Sequence, residues 1–484
     1  MNRNYFLWLL KRHRVLIGFS LTLYLCLSML ANLGAPGAGR GFYSACLAAS
    51  VMSMGMTFIL PVVLFSFVHR RSSEDLYFAL PLSRKRHRST ILLFAFGLSF
   101  GFYFLTVLLS FVIYGIDYVS VQKLLLILLC MAAGLMGLLL ISSALYLLGN
   151  TMLDGIVLLG AYTLFPVAAV IAESSVIMTM VAGAGSSDAS YSIYLSPVYL
   201  LLRNVQACLS EGMCELFPAL LFLLYSAIGL AGLKVLFDER RTEQAEQVSA
   251  HPLAYPAVIN LYAVLILLVL CADIVKQPSA EDGVLAVILV GCYIAGMMLY
   301  RRRLKPDVKS LCVLGAEALV CFGLMEAMWM TEGFGLAKAA LPDTDEARDY
   351  EYFLLVDKTD PERIVIPALE DDESIAAISF RLRVPEGKAE QYREALKVLE
   401  AYRKRLIDSY YERKTIDSTG WYSVSEVKEE TVSGSIVSYQ VSTPLSLQEL
   451  EVIDRVTEVR IANWKWGPED EEPMRLEEWK KTMR

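Results

Sequence analysis

Residues 124–148 read LLLILLCMAAGLMGLLLISSALYLL, without one charged side chain. A helix needs about 20 consecutive apolar residues to cross the hydrocarbon of a bilayer, so this stretch alone puts the chain in a membrane. Outward from it, eight more runs of the same kind lie near residues 15–34, 46–68, 90–115, 155–182, 215–236, 256–274, 283–300 and 310–330. Nine spans predict a polytopic α-helical membrane protein. The composition agrees: 55 % hydrophobic residues and a mean hydropathy of +0.47 exceed the roughly 45–50 % apolar content of soluble domains. The first run follows Lys11, Arg12 and Arg14, but no small-residue cleavage site comes after it, so it reads as a span and not as a removable signal.

Charge divides the chain in two. Residues 332–484 hold 33 acids and 22 bases, a balance of −11, whereas residues 1–331 balance at +4. The first part is too apolar for water and the last third has a soluble composition, which excludes a soluble enzyme, a nucleic-acid-binding protein and a disordered chain. Basic loops resist translocation. With the N-terminus inside, the inner segments carry 18 Lys and Arg, and the outer loops carry only Arg40, Lys123, Arg203 and Lys276. This asymmetry predicts a multi-pass plasma-membrane protein with a cytoplasmic N-terminus. An odd number of spans then puts residues 332–484 outside the cell. Residues 1–14, MNRNYFLWLLKRHR, set aromatics ahead of a basic cluster, the pattern of a helix lying in the headgroup zone. The plainer alternative is a basic flank with incidental aromatics.

Chemistry is mostly absent. The chain contains no P-loop, no GxSxG elbow, no kinase signature, no CxxC pair and no HExxH. Neither a metal site nor a cofactor of its own is expected. Seven of the nine cysteines fall in or beside spans as small core residues. Cys208 and Cys214 share an expected outer loop and form a candidate disulfide on spacing alone. Glu173, Glu317 and Glu326 are the acids falling within spans, where carboxylates are expensive and often functional. The favoured reading of each is a residue near a span end that reaches interfacial water.

The loop between the second and third spans is more informative. Ser72 or Ser73 is suited to capping a short helix whose first turn carries Glu74 and Asp75, where the helix dipole favours acids. Leu76, Phe78, Ala79 and Leu80 supply apolar contacts, Pro81 stops the helix, and Ser83 to Arg88 leads as a basic anchor into the third span. A compact amphipathic helix there suits docking against a soluble partner. The plain alternative is a positive-inside loop with a capped turn.

The stretch Asp75-Leu-Tyr-Phe-Ala-Leu-Pro-Leu-Ser-Arg-Lys-Arg resembles the corresponding loop of ABC-2-type transporter permeases, where a short acidic stretch precedes a Leu-Pro-x-Ser-Arg-like segment. The aromatic-basic N-terminus is similar to their interfacial helix, and Phe237-Asp-Glu-Arg-Arg-Thr-Glu-Gln-Ala-Glu246 is similar to a pattern that follows their sixth span. The likeness covers about residues 1–245. Beyond them the chain resembles variant permeases of Gram-positive bacteria that add spans and a C-terminal domain. The resemblance implies a non-catalytic membrane subunit that couples ATP hydrolysis on a separate ATP-binding subunit to substrate movement, in the direction of export, and that pairs with a second permease chain. The coupling loop would then comprise Glu74, Asp75, Leu76, Phe78, Leu80, Pro81, Ser83 and Arg84. The implied organisation is an N-terminal interfacial helix (1–14), a six-helix core (15–245), three added spans (246–331) and a soluble domain (332–484). A ligand sensor with an extracellular binding domain and a secondary transporter are the alternatives, the latter disfavoured by the shortage of midplane charge.

Residues 332–484 read as α+β. Ile378, Phe380, Leu382 and Val384 alternate with polar residues as in a half-buried strand. Pro385, Glu386 and Gly387 break it, and a helix follows to about Tyr410. Strands are expected at 421–427 and 435–442, and Ser446 with Glu449 fits a capping box. The acid runs 370–373 and 469–472 lack the alternating ligands and glycine of a calcium loop.

Overall fold

In lipid the backbone satisfies its own polar groups, so long apolar runs close into helices. The computed structural model describes residues 3–33, 38–79, 82–115, 119–182, 191–210, 212–240, 243, 245–247, 249, 251–301, 308–335, 347–357, 375–384, 389–411, 426–431, 436–440, 445–463 and 474–482. The helices of the first two-thirds are α1 (Arg3–Arg12), α2 (Arg14–Leu33), α3 (Ala38–Leu64), α4 (Arg71–Phe78), α5 (Arg84–Ser110), α6 (Val121–Leu147), α7 (Met152–Met180), α8 (Pro197–Ser210), α9 (Leu216–Leu233), α10 (Tyr255–Lys276), α11 (Ala280–Arg301) and α12 (Val308–Met330). Short π turns extend α5 over Phe111–Gly115 and α9 over Lys234–Asp238.

Among the described residues eight helices are long and apolar enough to cross a membrane: α3, α5, α6, α7, α9, α10, α11 and α12. They coincide with eight of the nine runs read from the sequence. The remaining run is helical as α2, whose described apolar stretch, Arg14–Cys26, is shorter. The chain is a multi-span helical membrane protein.

Two compact units divide it, each holding pieces of several helices. In the first (residues 1–170, 191–263 and 292–310) α6 is central, packing on α3, α5, α8 and α9. Close approach depends on glycine. A Cβ on Gly229 of α9 would stand 2.7 Å from the Ile141 backbone nitrogen on α6, the small-residue contact by which membrane helices maximise dispersion. The segment read as an outer loop contains an element that the sequence reading lacked, the amphipathic helix α8. It buries Leu200, Leu201, Val205 and Cys208 against the bundle because these positions share one helical face. Helix α1 likewise turns Tyr5 and Leu9 inward and leaves Leu7 and Trp8 exposed.

The second unit (residues 171–190, 264–291 and 311–484) contains the C-terminal α+β region. Its antiparallel sheet has the order β4-β3-β1-β2-β5-β6, formed by β1 (Ala347–Asp357), β2 (Ile375–Arg383), β3 (Glu426–Thr431), β4 (Ile436–Gln440), β5 (Arg460–Asn463) and β6 (Met474–Arg475). Helix α13 (Arg393–Tyr411) buries Ala395, Leu396, Leu399, Tyr402 and Leu406 with Tyr350, Tyr352, Ile378, Phe380 and Leu382. Helix α14 (Leu447–Asp454) opens with the expected Ser446–Glu449 capping box, and α15 (Leu476–Thr482) closes the chain. The strand expected at 421–427 is displaced: β3 starts at Glu426, and residues 421–425 lie outside the described residues, as do both acid runs and residues 385–387. Within this unit α13 holds the C-terminal end of α7. Tyr410 Oη donates to the Thr179 carbonyl at 2.6 Å, and Tyr411 Oη donates to that of Met180 at 2.9 Å. Trp329 of α12 packs on both tyrosines, and the Lys276 ammonium of α10 lies 4.7 Å from the Tyr410 ring centroid.

Candidate functional site

The loop singled out from sequence folds as α4, but not with the expected cap. Residues Ser66–His69 form a 3₁₀ turn, Arg70 is extended (φ −126°, ψ 120°) at the N-cap position, and no side chain caps the helix there. Ser72 and Ser73 therefore sit inside the first turn. The helix thus starts two or three residues earlier than expected, with Glu74 fully buried and Asp75 and Leu76 facing outward. Leu80 and Pro81 lie outside the described residues. Ser83 caps α5, its hydroxyl accepting from the Arg86 backbone N–H at 3.4 Å. Phe78 is half-buried with Phe237 at 5.9 Å between ring centroids, and the Arg84 guanidinium stacks on it at 4.5 Å. Arg84 also donates to the Asp238 carbonyl at 3.2 Å and to the Arg240 carbonyl.

Beneath α4 lies a buried pair. Arg240 Nε is 3.8 Å from Glu74 Oε1, with side-chain exposures of 3 % and 0 %. The guanidinium donates to the carbonyls of Leu147 (3.3 Å), Gly149 (3.4 Å) and Val68 (3.5 Å). Among the described residues neither Glu74 oxygen accepts a hydrogen bond. Burial outweighs attraction here, since removing two charges from water costs several kcal/mol per ion. The Glu74 carboxyl is accordingly pushed up to about 7 by burial, against the pull of Arg240 and Arg84. Burial also lowers the Arg240 guanidinium from its usual range. His69, edge-on to Tyr146 at 4.6 Å, is pushed down to about 4 by burial and then by the Arg240 charge. Near neutral pH the pocket thus holds a cation, an uncharged imidazole and a carboxyl poised to exchange its proton.

A segment at 238–255 ties this pocket to the helix ends. Asp238 pairs with Arg88 at 2.7 Å, Arg71 Nε donates to the Ala245 carbonyl at 3.1 Å, and Ser249 Oγ donates to that of Leu148 at 2.7 Å. Tyr300 and Tyr162 donate to the carbonyls of Ser249 (3.1 Å) and Leu253 (2.6 Å). On the other flank Tyr5 and His87 Nε2 share a hydrogen bond of 2.7 Å, and Arg12 donates to the Tyr77 hydroxyl.

No protein-family model, curated protein or solved structure matches this chain. What the site does must be argued from its own residues. Of the loop residues picked from sequence, Glu74 and Arg84 enter the network, Phe78 packs beside it, and Asp75 and Leu76 stay outside it. The sequence reading missed Arg240, His69 and Arg88. Nothing local marks them, because their partners lie far along the chain. The span carboxylates Glu173, Glu317 and Glu326 are each half-buried. Cys208 and Cys214 are free thiols, their Sγ atoms in contact at 2.9 Å.

Proposed function

We propose that this chain is the membrane subunit of an ATP-driven transporter, with α4 as the lever on which a separate ATP-binding subunit acts. The carrying observation is mechanical. Helix α4 rests on the ends of the spans through Glu74, Arg240 and the Phe67–Tyr77 stack, whose ring centroids are 4.1 Å apart, while Asp75 and Leu76 point outward. A force applied to that outer face reaches the carbonyls of Val68, Leu147 and Gly149 through Glu74 and Arg240. The likeness of residues 75–86 to the ABC-2 permease loop supports the same assignment. In this reading ATP is bound and hydrolysed by the partner, the substrate leaves the cell, two permease chains assemble, and the N-terminus is cytoplasmic. With α2 counted as a ninth span, the 18-to-4 bias of basic residues supports residues 332–484 lying outside.

The test is co-expression and co-purification with a P-loop ATPase from a neighbouring gene. The wild-type chain should retain that subunit, and the double variant Asp75→Lys, Leu76→Asp should lose it while unfolding at the same temperature, because both residues are exposed. Equal retention by the variant, or no retention by the wild type, refutes the reading.

A further inference from the structure

The three cysteines Cys130, Cys208 and Cys214 come together in the first unit, their sulfurs all within 4.8 Å of one another. Three different parts of the chain deliver them. Cys130 comes from the interior of α6, Cys208 from the last turn of α8, and Cys214 from the turn leading to α9. That turn is built to return. Gly212 adopts φ +73°, a left-handed conformation that glycine takes without strain, and donates its N–H to the Ala207 carbonyl at 3.1 Å. The reversal carries Cys214 back over Cys208. Cys208 is fully buried, Cys130 half-buried and Cys214 exposed, so the cluster has an inner anchor and a route to solvent.

We propose that these thiols form a binding site for one thiophilic d¹⁰ cation, Cu(I) being the ion the donor set fits best. Thiolate bonds of about 2.3 Å allow two sulfurs on one ion to stand at most about 4.6 Å apart, so the observed spread closes with small side-chain shifts. Soft sulfur donors select Cu(I) and Zn(II). A closed structural Zn(II) site takes four protein ligands, and among the described residues the group holds no fourth His, Cys, Asp or Glu. Neighbouring Glu215 is already engaged, accepting from Arg203 Nε at 2.7 Å and 2.9 Å. Binding breaks three S–H bonds, releases the protons to water and forms three Cu–S bonds, and copper stays Cu(I). The resulting anionic centre has a cation nearby: Lys123 donates its ammonium to the Ser210 carbonyl at 3.4 Å, beside Gly212. The site is independent of α4 and of the transport reading.

The experiment is an anaerobic titration of the reduced, detergent-purified full chain with Cu(I) against a chromogenic Cu(I) chelator. The wild type should take up about one Cu(I) per chain, and Cys130→Ser and Cys208→Ser should each weaken uptake at least about tenfold. Cys292→Ser, whose thiol is exposed and outside the cluster, should bind as the wild type does. Each variant is used only if it elutes as the wild type on gel filtration, and Cys214→Ser, at the exposed position, replaces one that does not. No uptake by the wild type, uptake unchanged in the cluster variants, or uptake of Zn(II) but not Cu(I) overturns the assignment.

Discussion

Replacing Glu74 by glutamine should stabilise the protein above neutral pH, the opposite of what deleting half of an ion pair ordinarily does. The carboxyl titrates at 4.5 when unperturbed and at about 7 in the folded chain. A tenfold change in proton affinity is worth about 1.4 kcal/mol, so ionising Glu74 in place carries roughly 3 kcal/mol. Between those two pH values the folded state holds a proton that the unfolded state has lost. Stability contributed by this group therefore falls as pH rises from about 4.5 to about 7 and stays low above it. Glutamine keeps the shape, stays neutral, and leaves Arg240 its three carbonyl acceptors. Thermal unfolding in detergent, followed by tryptophan fluorescence, should show Glu74→Gln melting several degrees above the wild type at about pH 8 and level with it at about pH 5. A variant that melts below the wild type at the higher pH would mean that attraction outweighs desolvation in this pocket, and the reasoning fails.

Arg240→Met removes the cation paired with Glu74 and strips three carbonyls of a donor, so a loss of about 3–5 kcal/mol is expected. Adding Glu74→Gln to it should recover part of that loss, and a double variant no better than Arg240→Met alone would show that the two do not interact. Gly229→Ala pushes a methyl against the α6 backbone at 2.7 Å, whereas Gly134→Ala meets only the flexible tip of Leu201. The first should cost about 1–3 kcal/mol and the second less, with the reverse order in melting temperature refuting the packing argument. Tyr411→Phe loses the bonds to Met180 and Ala182, worth about 1 kcal/mol each. Amide exchange in the last turn of α13 should quicken, and unchanged exchange would count against that contact. A cysteine at Lys397, exposed on α13, should react with a membrane-impermeant maleimide on intact cells above the unsubstituted background. Protection until lysis would place residues 332–484 inside.

The spans were legible because bilayer thickness imposes a length that an apolar run either has or lacks. The Ser446 capping box and the alternation of Ile378, Phe380 and Leu382 were legible for a similar reason, as both signals lie within a few residues of each other. Helix α8 escaped because it is short, with 14 residues, although Leu200, Leu201, Val205 and Cys208 mark one face. Helix α4 was found with its start placed two or three residues late, and the burial of Glu74 was not read. The preference of serine for caps is worth only about 1 kcal/mol, less than what the bundle gains by seating Phe67, Tyr77 and Phe78 against Phe237 and His87. The pocket itself was illegible. Glu74 and Arg240 are brought together only by tertiary packing, and no local period records such a meeting. The cysteine cluster was half legible, since Cys208 and Cys214 share a loop and Cys130 does not.

Among the described residues of 238–255, five peptide carbonyls are held from outside the segment: Arg84 on Asp238 and Arg240, Arg71 on Ala245, Tyr300 on Ser249 and Tyr162 on Leu253. Such a grip reads chain length and ignores spelling. Substitution at the exposed Leu253 leaves its acceptor where it was, whereas inserting or deleting one residue shifts all the later acceptors out of register. In a library of variants the intolerance to substitution would fall on Arg240 within the stretch and on Arg71, Arg84 and Tyr300, far along the chain from the acceptors they hold, and a change of count would be rejected throughout.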